Sequence, residues 1–432
     1  MSQLDLLNDL LDHARRAGAG AAAATVAAST SLSVSRRAGQ TEHLERSESR
    51  GIDLKVYLGH RSASVSTNEL APDGFATLAA RAVAMAKVVP EDPYGGLAEE
   101  AQYVDAGPLE LADSAEPTAE ALIARAAEAE DAARAVHGVT NSEGGEAGFS
   151  RSEFLLVTSA GFSGGYARTN HSVSATALAG EGTGMQRDYD YHSATFLADL
   201  EDAGAIGHRA GERAVARLNP VRPATAKLPV VFDPRVASGL IGHFAGAISG
   251  GAIARGTSFL KDKLGARVFA PGITIHDEPR RLRGPRSRPF DSEGVPTKTR
   301  ILIEDGVLQA WLLDSRSARQ LGLKNTGSPG LSNAYLAPGS MSPTELMADI
   351  VEGFYVTELL GMGVNGLTGD YSRGAAGFMI RNGVLAEPVA EITIAGNLIQ
   401  MFAALTPAND LRFRRAVDSP TVRVDGMTLA GG

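Results

Sequence analysis

The chain has 432 residues, with 41 Lys and Arg against 50 Asp and Glu, a formal net charge of −9 and no cysteine. This length exceeds one typical hydrophobic core, so we expect two domains. The mild acidity argues against a nucleic-acid partner. The lack of cysteine excludes disulfides, thiolate nucleophiles and cysteine-bound metal, and it fits a cytoplasmic protein.

The N-terminal half predicts helices grouped apart from antiparallel strands, which is typical of α+β proteins. Ser2 and Asp5 fit a capping box for a helix over residues 2–17, and that segment is too polar for a signal peptide. No apolar run is long enough for a membrane span. The other predictions here are a meander over 25–66 with turns at 38–40, 50–51 and 59–60, helices capped by Asp73 and Thr118, strands over 147–198 and a helix over 201–218.

A domain boundary is predicted near residues 219–227, because the stretch 219–234 holds four prolines between two patterned regions. The predicted domains are therefore residues 1–222 and 223–432. The second is strand-rich, and the strongest turn signals in it are Asp-Gly and Asn-Gly pairs between apolar alternations. They lie at residues 305–306 and 382–383, and a capping box at Ser342 and Glu345 predicts a short helix.

Three short motifs match catalytic or nucleotide-binding patterns, but their surroundings do not fit that chemistry. Residues 161–165 match G-x-S-x-G, yet a strand-like pattern follows, so we predict a hairpin turn and not a nucleophilic Ser163. Residues 258–261 match S-x-x-K of penicillin-recognising enzymes, but the companion motifs are out of order. Residues 361–366 match G-x-G-x-x-G without the helix that binds a pyrophosphate, so a turned glycine loop is predicted.

Two polar clusters remain. Asp188, Asp190 and His192 alternate along a predicted strand, so they share one face and could ligate a metal; a solvated polar face is the alternative. A basic run could bind phosphates or acidic peptides, with a solvated loop as the alternative. It lacks interleaved aromatics, which argues against nucleic acid. The run comprises Arg280, Arg281, Arg283, Arg286 and Arg288.

The C-terminal half resembles the TldD/PmbA family of bacterial peptidase-related proteins, in its PmbA (also called TldE) branch. The resemblance implies a two-domain α+β fold, with N-terminal helices on a curved antiparallel sheet and a β-rich C-terminal domain. The pattern analysis agrees with this fold. The segments that carry the resemblance are "GHFAGAISGGAIARGTSFL", "PFDSEGVPT", "GVLQAWLLDSRSARQLGLKNTG", "VTELLGMGVNGLTGDYSRGAAGF", "EITIAGNL" and "TVRVDGMTLAGG".

In that family the TldD branch is the zinc peptidase, with His-Glu-x-x-x-His on one helix and a later cysteine. Here His243 takes the place of the first histidine, but Phe244 replaces the glutamate and Ile248 the second histidine. Catalytic zinc normally needs about three protein ligands and a base for its water, so one imidazole does not suffice. We therefore expect no metal and no catalytic residue in this chain.

The resemblance implies a non-catalytic subunit that pairs with a TldD-type metallopeptidase, which supplies the zinc. The two chains would enclose a cavity in which small or unfolded peptides are cut. Whether the chain forms a homodimer in the absence of its partner is left open by the sequence. One alternative is an active metallopeptidase with a site rebuilt from Asp188, Asp190, His192 and His243. The other alternative is a peptide-binding adaptor.

One glycine-flanked loop is predicted to face the shared cavity or the partner. Its polar and aromatic side chains lie where the backbone can approach another chain closely. An intrachain Asp–Arg clamp that fixes a turn is the alternative. The residues concerned are Asp370, Tyr371, Ser372 and Arg373.

Overall fold

The computed structural model describes residues 2–99, 101 and 109–432, and its N-terminal half is built on one antiparallel sheet. The strand order in that sheet is β3-β2-β1-β4-β5-β6. The strands are β1 (Ala21–Arg37), β2 (Gln40–Leu58), β3 (Arg61–Thr67), β4 (Val139–Thr158), β5 (Ser163–Ala179) and β6 (Gln186–Ala194). The helices are α1 (Gln3–Arg16), α2 (Phe75–Val88), α3 (Ala119–Ala135) and α4 (Ala203–Ala216).

All four helices cover the same face of this sheet. Alternate side chains of β1 point to that face, including Ala24 and Val26 under α1 and α2 and Val34 under α3. The period of two leaves the residues between them on the opposite face, which none of these four helices covers and which we call the helix-free face. Four serines of β1 lie on this helix-free face, namely Ser29, Ser31, Ser33 and Ser35.

Local signals predicted most element ends of this half correctly. The capping box of α1 is confirmed, since the Ser2 amide donates to Asp5 Oδ2 at 3.0 Å, and Thr118 caps α3. Two predictions are wrong. β2 continues through residues 50–51, because Arg50 and Gly51 stay paired with Ala28 and Ala27 of β1 and the strand is held in the sheet from that side. A short 3₁₀ turn (Pro72–Gly74) precedes α2, so Asp73 does not cap that helix.

The C-terminal half contains two further sheets around a single large apolar cluster. One has the order β14-β13-β12-β7-β17-β15, with β14 also paired to β17, and the other has the order β10-β9-β8-β11-β16. The strands are β7 (Ala226–Phe232), β8 (Ile275–Asp277), β9 (Arg300–Glu304), β10 (Val307–Leu308), β11 (Ala334–Leu336), β12 (Glu352–Leu360), β13 (Asp370–Arg381), β14 (Val384–Asn397), β15 (Leu405–Pro407), β16 (Val417–Asp418) and β17 (Val422–Ala430). The helices are α5 (Pro234–Ala247), α6 (Gly250–Ala254), α7 (Ser315–Leu321), α8 (Pro343–Met347) and α9 (Leu398–Ala403).

Both predicted two-residue hairpins are confirmed. Asp305 and Gly306 have φ of 46° and 77°, and Asn382 and Gly383 have φ of 49° and 82°. Positive φ at both positions is the type I′ geometry, whose twist matches that of the flanking strands. The capping box at the start of α8 is also present.

The structure is α+β, as the sequence predicts. Its first sheet uses residues 21–194, and the other two use residues 226–430. The division into domains 1–222 and 223–432 stays a prediction. Within the described residues, no helix is both long and apolar enough to cross a membrane.

Candidate functional site

The helix that resembles a zinc-peptidase helix is α5, and its core side is apolar. Asp233 caps it by accepting a hydrogen bond from the Arg235 amide at 2.9 Å. Phe244 is fully buried and meets the rings of Phe269 and Phe402 edge-on, with centroids 5.3 and 6.3 Å away. Such aromatic packing leaves no room for a solvated carboxylate at this position.

Ile248 follows the last turn of α5 and is also fully buried, in the same cluster as Phe244. Its amide donates to the Phe244 carbonyl oxygen at 3.1 Å, and its own carbonyl accepts from the Leu312 amide. The positions that hold glutamate and histidine in the zinc motif therefore carry core residues here. Their function in this chain is packing.

His243 lies on the neighbouring side of α5 and is half-buried. Its ring meets the Tyr371 ring edge-on, with centroids 5.9 Å apart. Burial lowers the pKa of His243, and the nearby positive charge of Arg373 lowers it further. The imidazole is therefore uncharged at neutral pH.

Strand β13 brings Tyr371 and Arg373 to the same face, since they are two residues apart. Tyr371 is 2% exposed, and burial raises its pKa to about 12. Its hydroxyl has no hydrogen-bond partner in the part of the chain that the structure describes. Arg373 is half-buried, and its Nε donates to the Leu360 carbonyl oxygen at 3.2 Å.

The alternative interpretation of this loop, an Asp370–Arg373 clamp, is wrong. The Asp370 carboxylate accepts hydrogen bonds from Thr368 Oγ1 at 2.6 Å and from Asn397 Nδ2 at 3.1 Å, so it fixes its own end of the loop. Ser372 is exposed, while its amide donates to the Gly363 carbonyl oxygen. That these four loop residues face a cavity or partner stays a prediction, and only Tyr371 among them is turned fully inward.

Sequence reasoning missed a bare face on α5. Gly239, Gly242 and Gly246 are all exposed, and a Cβ built on any of them would meet nothing within 4 Å. The i, i+3, i+7 spacing places them along one side of the helix, beside His243. This spacing was visible in the sequence, but only the structure shows that no neighbouring element among the described residues fills the space.

The zinc ion that the resemblance implies does not fit this helix. Of the motif positions only His243 offers a ligand atom, and the guanidinium of Arg373 adds positive charge where a cation would bind. In the described ranges, no three His, Asp or Glu side chains converge as a metal site. The donor set therefore disagrees with a zinc centre at α5.

The hypothesis of a metal site at Asp188, Asp190 and His192 is wrong, and so is the solvated-face alternative. These side chains do share one face of β6, but that face is buried. Burial alone would raise the pKa of Asp190, but nearby arginines outweigh it and hold the pKa below its ordinary value. His192 Nδ1 accepts from the Glu201 amide at 3.1 Å. The arginines that pair with the two aspartates are Arg209, Arg213, Arg217, Arg235 and Arg414.

The remaining sequence motifs have structural roles. Ser163 begins β5 directly after the predicted hairpin turn. Ser258 is buried and donates to the Ala247 carbonyl oxygen at 2.6 Å, which occupies its hydroxyl. Residues 361–366 form a loop that leads into strand β13, as predicted. In the basic run, Arg281 pairs with Glu278, so the run is partly neutralised within the chain.

Comparison with known proteins places this architecture in one family. Residues 22–86, 112–218 and 225–431 match domain 1, the central domain and the C-terminal domain of PmbA/TldA metallopeptidases. Metalloprotease PmbA of Escherichia coli O157:H7 is 40% identical over 410 residues, covering 94% of this chain and 91% of that protein. The chain belongs to the PmbA/TldD family.

Other relatives agree with the PmbA branch of this family. The Metalloprotease PmbA homolog of Haemophilus influenzae is 35% identical, with 97% of this chain and 94% of that protein covered. A crystal structure from Bacteroides thetaiotaomicron shares the fold with a TM-score of 0.93 and 29% identity, covering 99% of both chains. TldE from Thermococcus kodakarensis, at 20% identity, has a TM-score of 0.84 and covers 99% of this chain and 100% of that one.

Proposed function

We propose that this chain is the non-catalytic PmbA/TldE-type subunit of a TldD–TldE-like zinc metallopeptidase that degrades or processes peptides. The zinc ion and the catalytic groups belong to a TldD-type partner, and this chain shapes the peptide chamber. The cysteine-free composition suits assembly in the reducing cytoplasm.

The observation that carries this proposal is the packing of Phe244 and Ile248. Both are fully buried in the apolar core, where the zinc motif would need a base and a second ligand. A general base must reach the water that it deprotonates, and a zinc ligand must reach the metal. A chain that retains the helix and lacks these groups supports a scaffold role for α5.

The helix-free face of the N-terminal sheet supports a chamber-forming role. It holds a cavity of about 480 Å³ whose lining includes Ser33, Ser35, Ser172 and Ser174. Small hydroxyl side chains leave space above a sheet. They can hydrogen-bond to the backbone of a bound peptide whatever the side chains of that peptide are. Such a wall suits peptides of varied sequence.

Two relatives carry the name metalloprotease, which favours an enzymatic alternative in which this chain itself cleaves peptides. The metal site that this alternative would rebuild from Asp188 and Asp190 is not formed, because arginines engage both carboxylates. The adaptor alternative differs from our proposal only in lacking a peptidase partner. One experiment separates all three.

The experiment is affinity purification of the tagged chain from its native cells, followed by zinc analysis and peptidase assays with and without chelator. We expect a TldD-type chain to co-purify, and chelator-sensitive cleavage to need that chain. The matched control is the tagged chain purified alone from a heterologous host. About one zinc per isolated chain with chelator-sensitive cleavage would overturn the proposal, and purification without a peptidase partner would favour the adaptor.

A further inference from the structure

Arg373 is a cation without an acidic partner. Within the described residues, no Asp or Glu oxygen lies within ion-pair distance of its guanidinium, which is held by one bond to the Leu360 carbonyl oxygen. Arg381 on the same strand differs, because it pairs with both Glu352 and Glu387. The positive charge of Arg373 is therefore available to a ligand.

The surroundings of Arg373 suit an anion. Tyr371 precedes it on the same face of β13, and the His243 ring packs edge-on against the Tyr371 ring. The nearby positive charge of Arg373 lowers the pKa of the His243 imidazole and also acts to lower the pKa of the Tyr371 hydroxyl, which burial raises. An uncharged imidazole can donate one N–H to an acceptor, so an oxygen anion here would meet a cation and a neutral donor.

The bare face of α5 provides access to this spot. Gly239 and Gly246 stand four residues before and three residues after His243, so they flank it on the helix surface. Glycine inside a helix lowers the stability of that helix by up to about 1 kcal/mol relative to alanine. Where the structure describes the chain, no side chain uses the space that these glycines leave. An extended peptide backbone can therefore approach His243 closely.

The neighbouring loop adds apolar contact surface. Met362 and Leu367 are 86% and 60% exposed, although the loop is fixed by backbone hydrogen bonds such as Ser372 N to Gly363 O at 2.7 Å. These exposed apolar side chains offer contact surface to a ligand that binds beside Arg373. The ligand that fits this combination has a carboxylate and apolar neighbours.

We propose that Arg373 and His243 form a carboxylate-binding subsite for peptides, entered along the glycine face of α5. The peptide and hence the carboxylate nature of the ligand rest on the proposed function, whereas the preference for an oxygen anion rests on the site itself. Arginine binds carboxylates through two parallel N–H···O bonds, a geometry that lysine cannot reproduce. The carboxylate is either the C-terminus of the peptide or an Asp or Glu side chain.

Calorimetric titration of the purified chain tests the subsite with three N-acetylated apolar peptides of one sequence. The first has a free C-terminus, the second is amidated, and the third is amidated and carries one glutamate. Binding of the first alone assigns the C-terminal carboxylate, binding of the third alone assigns the side chain, and binding of both shows that either serves. Equal binding of the neutral amide, or no binding of any peptide, overturns the proposal.

Variants locate the binding. Arg373→Gln should lower the affinity for the acidic peptides by about tenfold or more, because the charge-assisted hydrogen bonds are lost. Arg373→Lys should lower the affinity less, because lysine keeps the charge but cannot form the paired bonds of a guanidinium. Arg412→Gln, on an exposed loop, is the matched control and should leave binding unchanged. Gly239→Leu should weaken binding while the fold stays intact, so the test survives if Arg373→Gln does not fold. Unchanged binding in Arg373→Gln contradicts the subsite, as does unchanged binding in Gly239→Leu where Arg373→Gln does not fold.

Failure of the subsite and failure of the proposed function give different results. A chain that binds the acidic peptides through Arg373 but captures no TldD-type partner keeps the subsite and loses the proposed assembly. A chain that assembles with such a partner, and whose Arg373→Gln variant binds these peptides as well as the parent does, keeps the assembly and loses the subsite.

Discussion

Single residues on α5 and β13 decide what this site can do, and the sequence predicts them unequally. His243, Phe244 and Ile248 could be interpreted from the motif alone, because ligand identity is a property of residue type. The inward position of Tyr371 could not be predicted from the sequence, since it depends on the register of β13 against its neighbouring strands. The same holds for the lack of any acidic partner for Arg373 among the described residues.

The hydroxyl of Tyr371 should not stabilise the fold. It is buried without a partner among the described residues, and an unsatisfied buried hydroxyl costs about 1–3 kcal/mol. Tyr371→Phe should therefore leave the free energy of unfolding unchanged or raise it by about 1 kcal/mol, measured by urea denaturation. The control is Tyr355→Phe, which removes a bond to Asp233 Oδ2 at 3.1 Å and should lower that free energy. Similar losses in both variants would contradict this assignment.

Asp291 should make stability depend on pH. It is 2% exposed, one carboxylate oxygen accepts from the Glu293 and Val295 amides, and burial raises its pKa to about 6. Since the unfolded pKa is about 3.9, the folded state holds the proton more tightly, and this contribution to stability is lost as pH rises from about 4 to 6. Asp291→Asn keeps the accepting oxygen without the charge.

Asp291→Asn should therefore be more stable than the parent by roughly 1–3 kcal/mol at pH 8, with a smaller difference at pH 5. Urea denaturation at both pH values measures this. Equal differences at the two pH values would show that the Asp291 carboxylate does not titrate in this range.

Elements that depend on local sequence were the easiest to predict. The capping boxes and the two hairpin turns at residues 305–306 and 382–383 depend on contacts over two to four residues, so local sequence was enough to predict them. The continuous strand β2 and the buried face of β6 were missed because their causes are distant. β6 is buried by pairs with arginines as far away as Arg414, which the pattern of β6 itself cannot reveal.

The glycines of α5 should be replaceable without loss of fold. A methyl group added at Gly242 would meet no atom within 4 Å, so Gly242→Ala should raise the free energy of unfolding by up to about 1 kcal/mol. Gly250 is the matched contrast, because a Cβ there would lie 2.2 Å from Ser317 Oγ. Gly250→Ala should lower the thermal midpoint. A loss of stability in Gly242→Ala would show that the bare face is needed for folding.

The whole molecule depends on long-range pairings that sequence patterns do not encode. β1 and β4 pair along most of their length although about a hundred residues separate them, and β14 closes its sheet onto β17. The α+β class and the order of elements were still predictable, because each half carries its own alternation. The two halves also meet through Arg319, which donates to the carbonyl oxygens of Tyr94 and Leu97.

Rebuilding the zinc motif in the whole molecule should not restore catalysis. Phe244→Glu with Ile248→His recreates His-Glu-x-x-x-His around His243, but two histidines leave zinc without a third protein ligand, and the core offers these side chains no hydrogen-bond partners. A carboxylate in this apolar cluster should lower the free energy of unfolding by at least about 3 kcal/mol.

The control for this double variant is Gly242→Glu with Gly246→His, which places the same residue types at the same spacing on the exposed face of α5. The control should stay within about 1 kcal/mol of the parent, because surface substitutions seldom cost more. Thermal melting, zinc titration and a peptidase assay compare the two variants. Peptide cleavage by the Phe244→Glu, Ile248→His chain alone, blocked by chelator and recovered with zinc, would show that this chain retains the rest of a catalytic site.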